Sequence, residues 1–291
     1  MVDRRTAIRE NHPDVDVIGL QENCMHGCTE EMDFSKLFEF YGWPFHTKVV
    51  GQKATVNGGV RIISKYQLQN VTYHVYKNWA TGTADAFADK GFVSASINKQ
   101  DKIFHLIATH LQAQECATCD AARYDQIQEM KAFIDESNFP KDEPVILIGD
   151  LNVDAVLEKQ KEDKIMDILN FEVAEKTGDL KYTYDPSLND VVEPGESPLW
   201  IDYVAYSKDH KKPLSAKFEA VHLKNDEMFG YCNTAPLAPY WIYQNSGQCR
   251  EAKSTENLSD HFPVIGVLTF DYAKEGKSSS GIMSYLYSFI Q

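Results

Sequence analysis

Apolar runs of strand length recur along the whole 291-residue chain, at 15–20, 60–63, 71–75, 92–97, 103–108, 145–148, 201–206 and 262–270. Segments this short cannot bury themselves singly, so they must pair laterally into sheets. Val93, Ala95 and Ile97 alternate with period two, which turns one face of that strand to a core. Between the runs, Ile127, Met130 and Ile134, and again Ile165, Ile168 and Leu169, recur at helical spacing in segments rich in Glu, Lys and Gln. Strands interleaved with amphipathic helices predict a layered α/β fold with helices outside the sheets. No linker, low-complexity tract or internal repeat divides the chain. No run approaches the roughly 18 apolar residues that a membrane-spanning helix needs.

Forty-three acidic against 29 basic residues leave a formal charge of −14. The overall basic footprint of a nucleic-acid binder is therefore missing. A hydrophobic content of 43% excludes disorder as the main state. Six cysteines fall in three local pairs, Cys24/Cys28, Cys116/Cys119 and Cys232/Cys249, without the histidines or paired CxxC spacing of a zinc site. Disulfides in an oxidising compartment and buried thiols both remain open. Cys232/Cys249 is the best candidate bridge, because a loop of that size yields about 3 kcal/mol on closure.

The informative positions are polar residues that end strands. The run 16–21 stops on Glu22, a hard-oxygen ligand suited to a divalent cation. The run ending at Thr109 stops on His110 within ATHLQA, and 145–149 stops on Asp150-Leu151-Asn152. In an extended segment Asp150 and Asn152 share one side, where together they can orient a water or a phosphoryl oxygen. An Asx turn or helix cap is the competing explanation. Asp202 lies inside an otherwise apolar strand, so it must find a donor or lose its charge, and a histidine is the economical partner. Asp260-His261 stand at the mouth of the last strong strand, where the imidazole can act as a general base. Each feature alone has a structural explanation; the ordered series does not.

Two stretches depart from the alternating pattern. Residues 226–250 are punctuated by Gly, Asn and Pro around a cluster that includes Tyr240, Trp241 and Tyr243, and read as an excursion from the core. Residues 274–291 follow a single domain spanning 1–273 and read as a C-terminal tail or a docked terminal segment.

DVIGLQE, NGGVRIISK, ATHLQA, LIGDLNVD, WIDYVAYS and LSDHFPV together resemble the ordered motifs of the endonuclease/exonuclease/phosphatase (DNase I-like) superfamily. ATHLQA, the KGF beginning at Lys90, and SDHFPV are most similar to the secreted neutral sphingomyelinases of the bacterial sphingomyelinase C type. The resemblance implies a four-layered α/β sandwich that cleaves sphingomyelin to ceramide and phosphocholine by in-line attack of water. It implies that Glu22 and Asp260 serve a Mg²⁺ site, with Mn²⁺ or Co²⁺ as alternatives. Asp150 and Asn152 would position water and phosphate, His261 would be the base oriented by Asp202, and His110 would donate to the phosphoryl oxygens or the leaving alcohol. Tyr240, Trp241 and Tyr243 match an interfacial loop in residue type, since Trp and Tyr favour the headgroup boundary. The implied setting is extracellular and peripheral to a sphingomyelin-containing membrane, as a monomer, with no nucleic acid partner.

Departures from the family pattern raise further expectations. The first strand of the superfamily, which supplies an Asn to the site, has no counterpart before Arg4, and neither does a signal peptide. An N-terminally incomplete copy is therefore expected, with an unpaired sheet edge where that strand belongs. Cys116/Cys119 would form only a tight local bridge, which the sequence does not require. Asn70 and Asn257 fit the glycosylation pattern, and the second, beside Asp260, is expected to be unoccupied. Two other readings accommodate the same residues: a nuclease or inositol-phosphate phosphatase, and a catalytically impaired membrane-binding protein.

Overall fold

The computed structural model describes residues 14–23, 35–51, 56–192, 195–233, 251–272 and 282–290. One sheet has seven strands in the order β2 (Phe45–His46), β3 (Arg61–Ser64), β1 (Val17–Gln21), β15 (Ile282–Ile290), β14 (Val264–Phe270), β11 (Ser215–Ala220) and β9 (Glu175–Thr177). The other has six, in the order β4 (Leu68–Val75), β5 (Gly91–Lys99), β6 (Lys102–His110), β7 (Val145–Asp150), β10 (Asp202–Ser207) and β8 (Phe171–Val173). A separate two-stranded ribbon joins β12 (Lys224–Asn233) to β13 (Glu251–Asn257).

Period-two patterning puts Val93, Ala95 and Ile97 against Val17, Ile62, Val264 and Leu268, so the two sheets bury one shared core between them. Ile127, Met130 and Ile134 of helix α2 (Ala117–Ser137), with Ile165 and Leu169 of α3 (Lys159–Leu169), cover the outer face of the six-stranded sheet. Phe38 of α1 (Ser35–Phe40) joins Trp43, Ile18, Leu20 and Ile265 on the outer face of the other. The result is the expected four-layered sandwich. The run 71–75 forms part of the edge strand β4, where Val71, Tyr73 and Val75 are partly exposed and the Tyr73 hydroxyl accepts from Lys48 N–H at 2.9 Å.

The C-terminal segment is docked. β15 lies parallel to β1, with Val17 opposite Leu286, and antiparallel to β14, with Gly266 opposite Leu286 on its other side. Of the two expectations for residues 274–291, tail or docked segment, the second describes 282–290, an interior strand of the seven-stranded sheet. The expected bare edge is paired as well, for β15 fills the gap between β1 and β14. Residues 1–13, including the segment around Arg4, lie outside the described residues.

Candidate active site

Five strand ends converge at one end of the sandwich. β6 ends on His110 and β7 on Asp150, paired in parallel register, and β10 begins at Asp202 opposite Asp150. His261 immediately precedes β14, and its Nδ1 lies 2.9 Å from Asp202 Oδ2. That is the donor which Asp202, 1% exposed within an apolar strand, requires. Tyr184 packs edge-on against the His261 ring, and Trp200 Nε1 donates to the Asp202 carbonyl at 2.9 Å. Asp150 and Asn152 are also adjacent, but by a different route from the one expected. The strand stops at Asp150, Asn152 turns to φ 51°, and its backbone N–H donates to Asp150 Oδ1 at 2.7 Å in an Asx turn. Asn152 Nδ2 then reaches Asp150 Oδ2 at 3.2 Å and the Leu111 carbonyl at 3.0 Å.

Two glycines make this geometry attainable. Gly149 has φ 149°, and a Cβ there would fall 2.1 Å from the Thr109 carbonyl, so only glycine lets β7 deliver Asp150 beside β6. Gly59 of NGGVRIISK has φ 70°, and a Cβ there would sit 2.5 Å from Glu22 Cα. Glu22 itself is held at φ 56°, a left-handed conformation costly for a non-glycine residue. The next residue, Asn23, is pinned by its N–H to the Gly59 carbonyl and by buried Arg61, whose Nη1 donates to Asn23 Oδ1. Asp260 is placed from behind, since Asn189 Nδ2 donates to the carbonyls of Ser259 and Asp260 at 2.7 and 3.0 Å.

A profile of the endonuclease/exonuclease/phosphatase family 2 matches residues 4–182, more than half of the chain. The chain belongs to that family. A sphingomyelinase C 2 of Leptospira interrogans is 31% identical over 258 residues, which are 81% of this chain and 40% of that protein. The chain thus spans about two fifths of the length of that relative. A phospholipase C of Staphylococcus aureus is 30% identical over 244 residues, 76% of this chain and 67% of that protein. Among solved structures, a beta-toxin variant of Staphylococcus aureus with bound magnesium ions superposes with a TM-score of 0.70 at 26% identity, over 86% of this chain and 85% of that one.

In this family member the charge balance at Glu22 bears on a metal. Enclosure by the protein holds the Glu22 carboxyl above the ordinary range, the neighbouring Asp260 adds to the rise, and His110 only partly offsets it. A divalent cation would offset that burial, and the carboxylates of Glu22 and Asp260 are donors of the type a magnesium ion takes. Among the described residues no three His, Cys, Asp or Glu side chains form a complete cage. Magnesium suits such an incomplete set, because it is commonly held by one or two carboxylates with water and phosphate completing the shell.

Some expectations fall elsewhere. Tyr240, Trp241 and Tyr243 lie outside the described residues, although the ribbon that bounds their segment is present, with Asn233 opposite Glu251. Cys24, Cys28 and Cys249 also lie outside them. Cys116 and Cys119 are disulfide-bonded at the start of α2, where the Cys116 sulfur also caps the helix by accepting from Cys119 N–H. Asn257 is 7% exposed and its amide donates to Asp190 at 2.7 Å. Sequence reasoning missed Lys90 and Asp85 as parts of the site. Lys90 is 5% exposed, and its Nζ reaches Asp85 Oδ2 at 2.8 Å, the Leu111 carbonyl at 2.9 Å and His110 Nε2 at 3.0 Å. The signal was available, for a lysine at the mouth of the apolar run 92–97 needs partners just as Asp202 does.

Proposed function

We propose that this chain is a Mg²⁺-dependent phosphodiesterase that hydrolyses sphingomyelin to ceramide and phosphocholine. One observation carries the reading: the buried Asp202–His261 pair stands beside the Asp150–Asn152 turn and His110, in a chain whose relatives are named sphingomyelinase C. His261 takes a proton from the attacking water while Asp202 orients the ring and offsets its charge. Asp150 and Asn152 position that water and a phosphoryl oxygen. The water oxygen bonds to phosphorus, the bond from phosphorus to the ceramide oxygen breaks, and the leaving oxygen gains a proton. His110 supplies a hydrogen bond on that side. Glu22 and Asp260 would hold the cation, which when bound offsets the negative charge of the phosphodiester.

The substrate class points to a membrane surface, and several loops that frame the site carry exposed apolar side chains. Phe87, 70% exposed, lies two residues from Asp85, and Leu157, 77% exposed, donates its N–H to Asp154. Leu188, 49% exposed, adjoins Asn189, which holds Asp260. These side chains, with Tyr240, Trp241 and Tyr243, would make the protein peripheral at a zwitterionic bilayer. No helix among the described residues is long and apolar enough to span one. The Cys116–Cys119 disulfide supports an extracellular setting. Phosphocholine release from sphingomyelin vesicles, measured with Mg²⁺ and with excess chelator, tests the proposal. Release that requires Mg²⁺ is expected; no release, or release only from a nucleotide or inositol-phosphate substrate, would overturn it.

A further inference from the structure

The bonds around Lys90 carry information about His110. An ammonium has three donors and no acceptor, so every polar atom within its reach must accept. Lys90 Nζ has three such atoms at hydrogen-bond distance: Asp85 Oδ2 at 2.8 Å, the Leu111 carbonyl at 2.9 Å and His110 Nε2 at 3.0 Å. The three partners match its three donors. A proton on His110 Nε2 would set two donors against each other, one of them carrying a full positive charge, in a place where both residues are at most 5% exposed. A neutral ring with its lone pair at Nε2 removes that conflict and leaves the proton on Nδ1.

Asp150 Oδ2, 3.3 Å from the same Nε2, is the competing pull. It stands farther off than the ammonium, and it already accepts from Asn152 Nδ2 at 3.2 Å. His110 Nδ1 is buried and has no partner among the described residues. A buried N–H without an acceptor costs on the order of 1–3 kcal/mol, which a substrate oxygen would recover.

We infer that Lys90 is a positioning residue that fixes the neutral Nδ1–H tautomer of His110, so that Nδ1–H is the donor offered to an oxygen of the phosphodiester. This deepens the proposed function and rests on its assignment of His110 as a donor. Lys90 is saturated by its own bonds and does not itself contact substrate in this arrangement. Asp85 completes the device: burial works against its carboxylate, yet Lys90 holds it below the ordinary range, and Asp85 Oδ2 also accepts the Ala113 N–H at 2.6 Å. The pair thereby ties the loop following β6 to the loop before β5.

The full chain labelled with ¹⁵N-histidine provides the test, using long-range ¹H–¹⁵N correlation spectra with the His110 signals identified by their loss in His110→Gln. The wild type is expected to show a protonated Nδ1 and a bare Nε2. Lys90→Met is expected to move the proton to Nε2, towards Asp150, and to lower kcat on sphingomyelin by roughly 100-fold while KM changes less than about threefold. A wild-type spectrum with Nε2 protonated would sink the inference, and so would a Lys90→Met spectrum with the tautomer unchanged. The wild-type spectrum decides even if Lys90→Met fails to fold. It also separates the two proposals, since an enzyme inactive on sphingomyelin could still hold the Nδ1–H tautomer.

Discussion

Asp202 and His261 exchange burial against charge directly. Burial alone would lower the imidazole, but the Asp202 charge and hydrogen bond, with Asp260 and Asp150 adding to them, raise His261 to about 10. The folded-state value therefore lies above the unfolded value near 6.5. The stability that charging His261 contributes is present at pH 6.5, while Asp202 stays ionised, and is lost as pH rises towards 10. Metal-free protein should show a Tm that declines over that window, and Asp202→Asn should flatten the decline; an unchanged slope in thermal melts would refute the coupling. In the proposed reaction His261 must be neutral to take a proton, and a cation beside Glu22 and Asp260 would lower it towards that state. His261→Ala should reduce kcat by about 10³-fold while vesicle binding persists in a sedimentation assay. Retained turnover would remove His261 from the role of base.

At the scale of elements, the site depends on how strands end. Gly149→Ala places a Cβ against the Thr109 carbonyl at a backbone angle that L side chains avoid, and should cost more than about 2 kcal/mol in urea denaturation. Leu286→Pro breaks an interior strand paired on both sides and should cost about 3 kcal/mol or more, read the same way. A loss below 1 kcal/mol would show that β15 contributes little to the sheet. The strand ends themselves were legible because an apolar run that stops on Glu, His or Asp is a local pattern, and because a charge inside a strand, as at Asp202, demands a partner. The Asx turn at Asn152 was not, since the choice between an extended and a turned backbone is settled by Gly149 and by the Leu111 carbonyl across the sheet. β15 was readable as docked or free but not as interior, because its partners lie far away in sequence.

For the whole molecule, a charge of −14 sets how it can meet a membrane. In the proposed membrane contact this charge opposes attraction to anionic lipid, so the apolar side chains around the site would supply the binding. Binding to sphingomyelin and phosphatidylcholine vesicles should thus change less than about twofold from low salt to 0.5 M, and anionic lipid should weaken it. Binding that collapses with salt would point to an electrostatic contact instead. The place of β15 has a further effect in time. β1 is synthesised about 260 residues before the strand that seals its flank. At ribosomal speeds of roughly 5–20 residues per second, that flank stays open for about 13–50 seconds. Throughout this interval the nascent chain offers an unpaired apolar strand to any neighbour, a surface that a holding chaperone would cover.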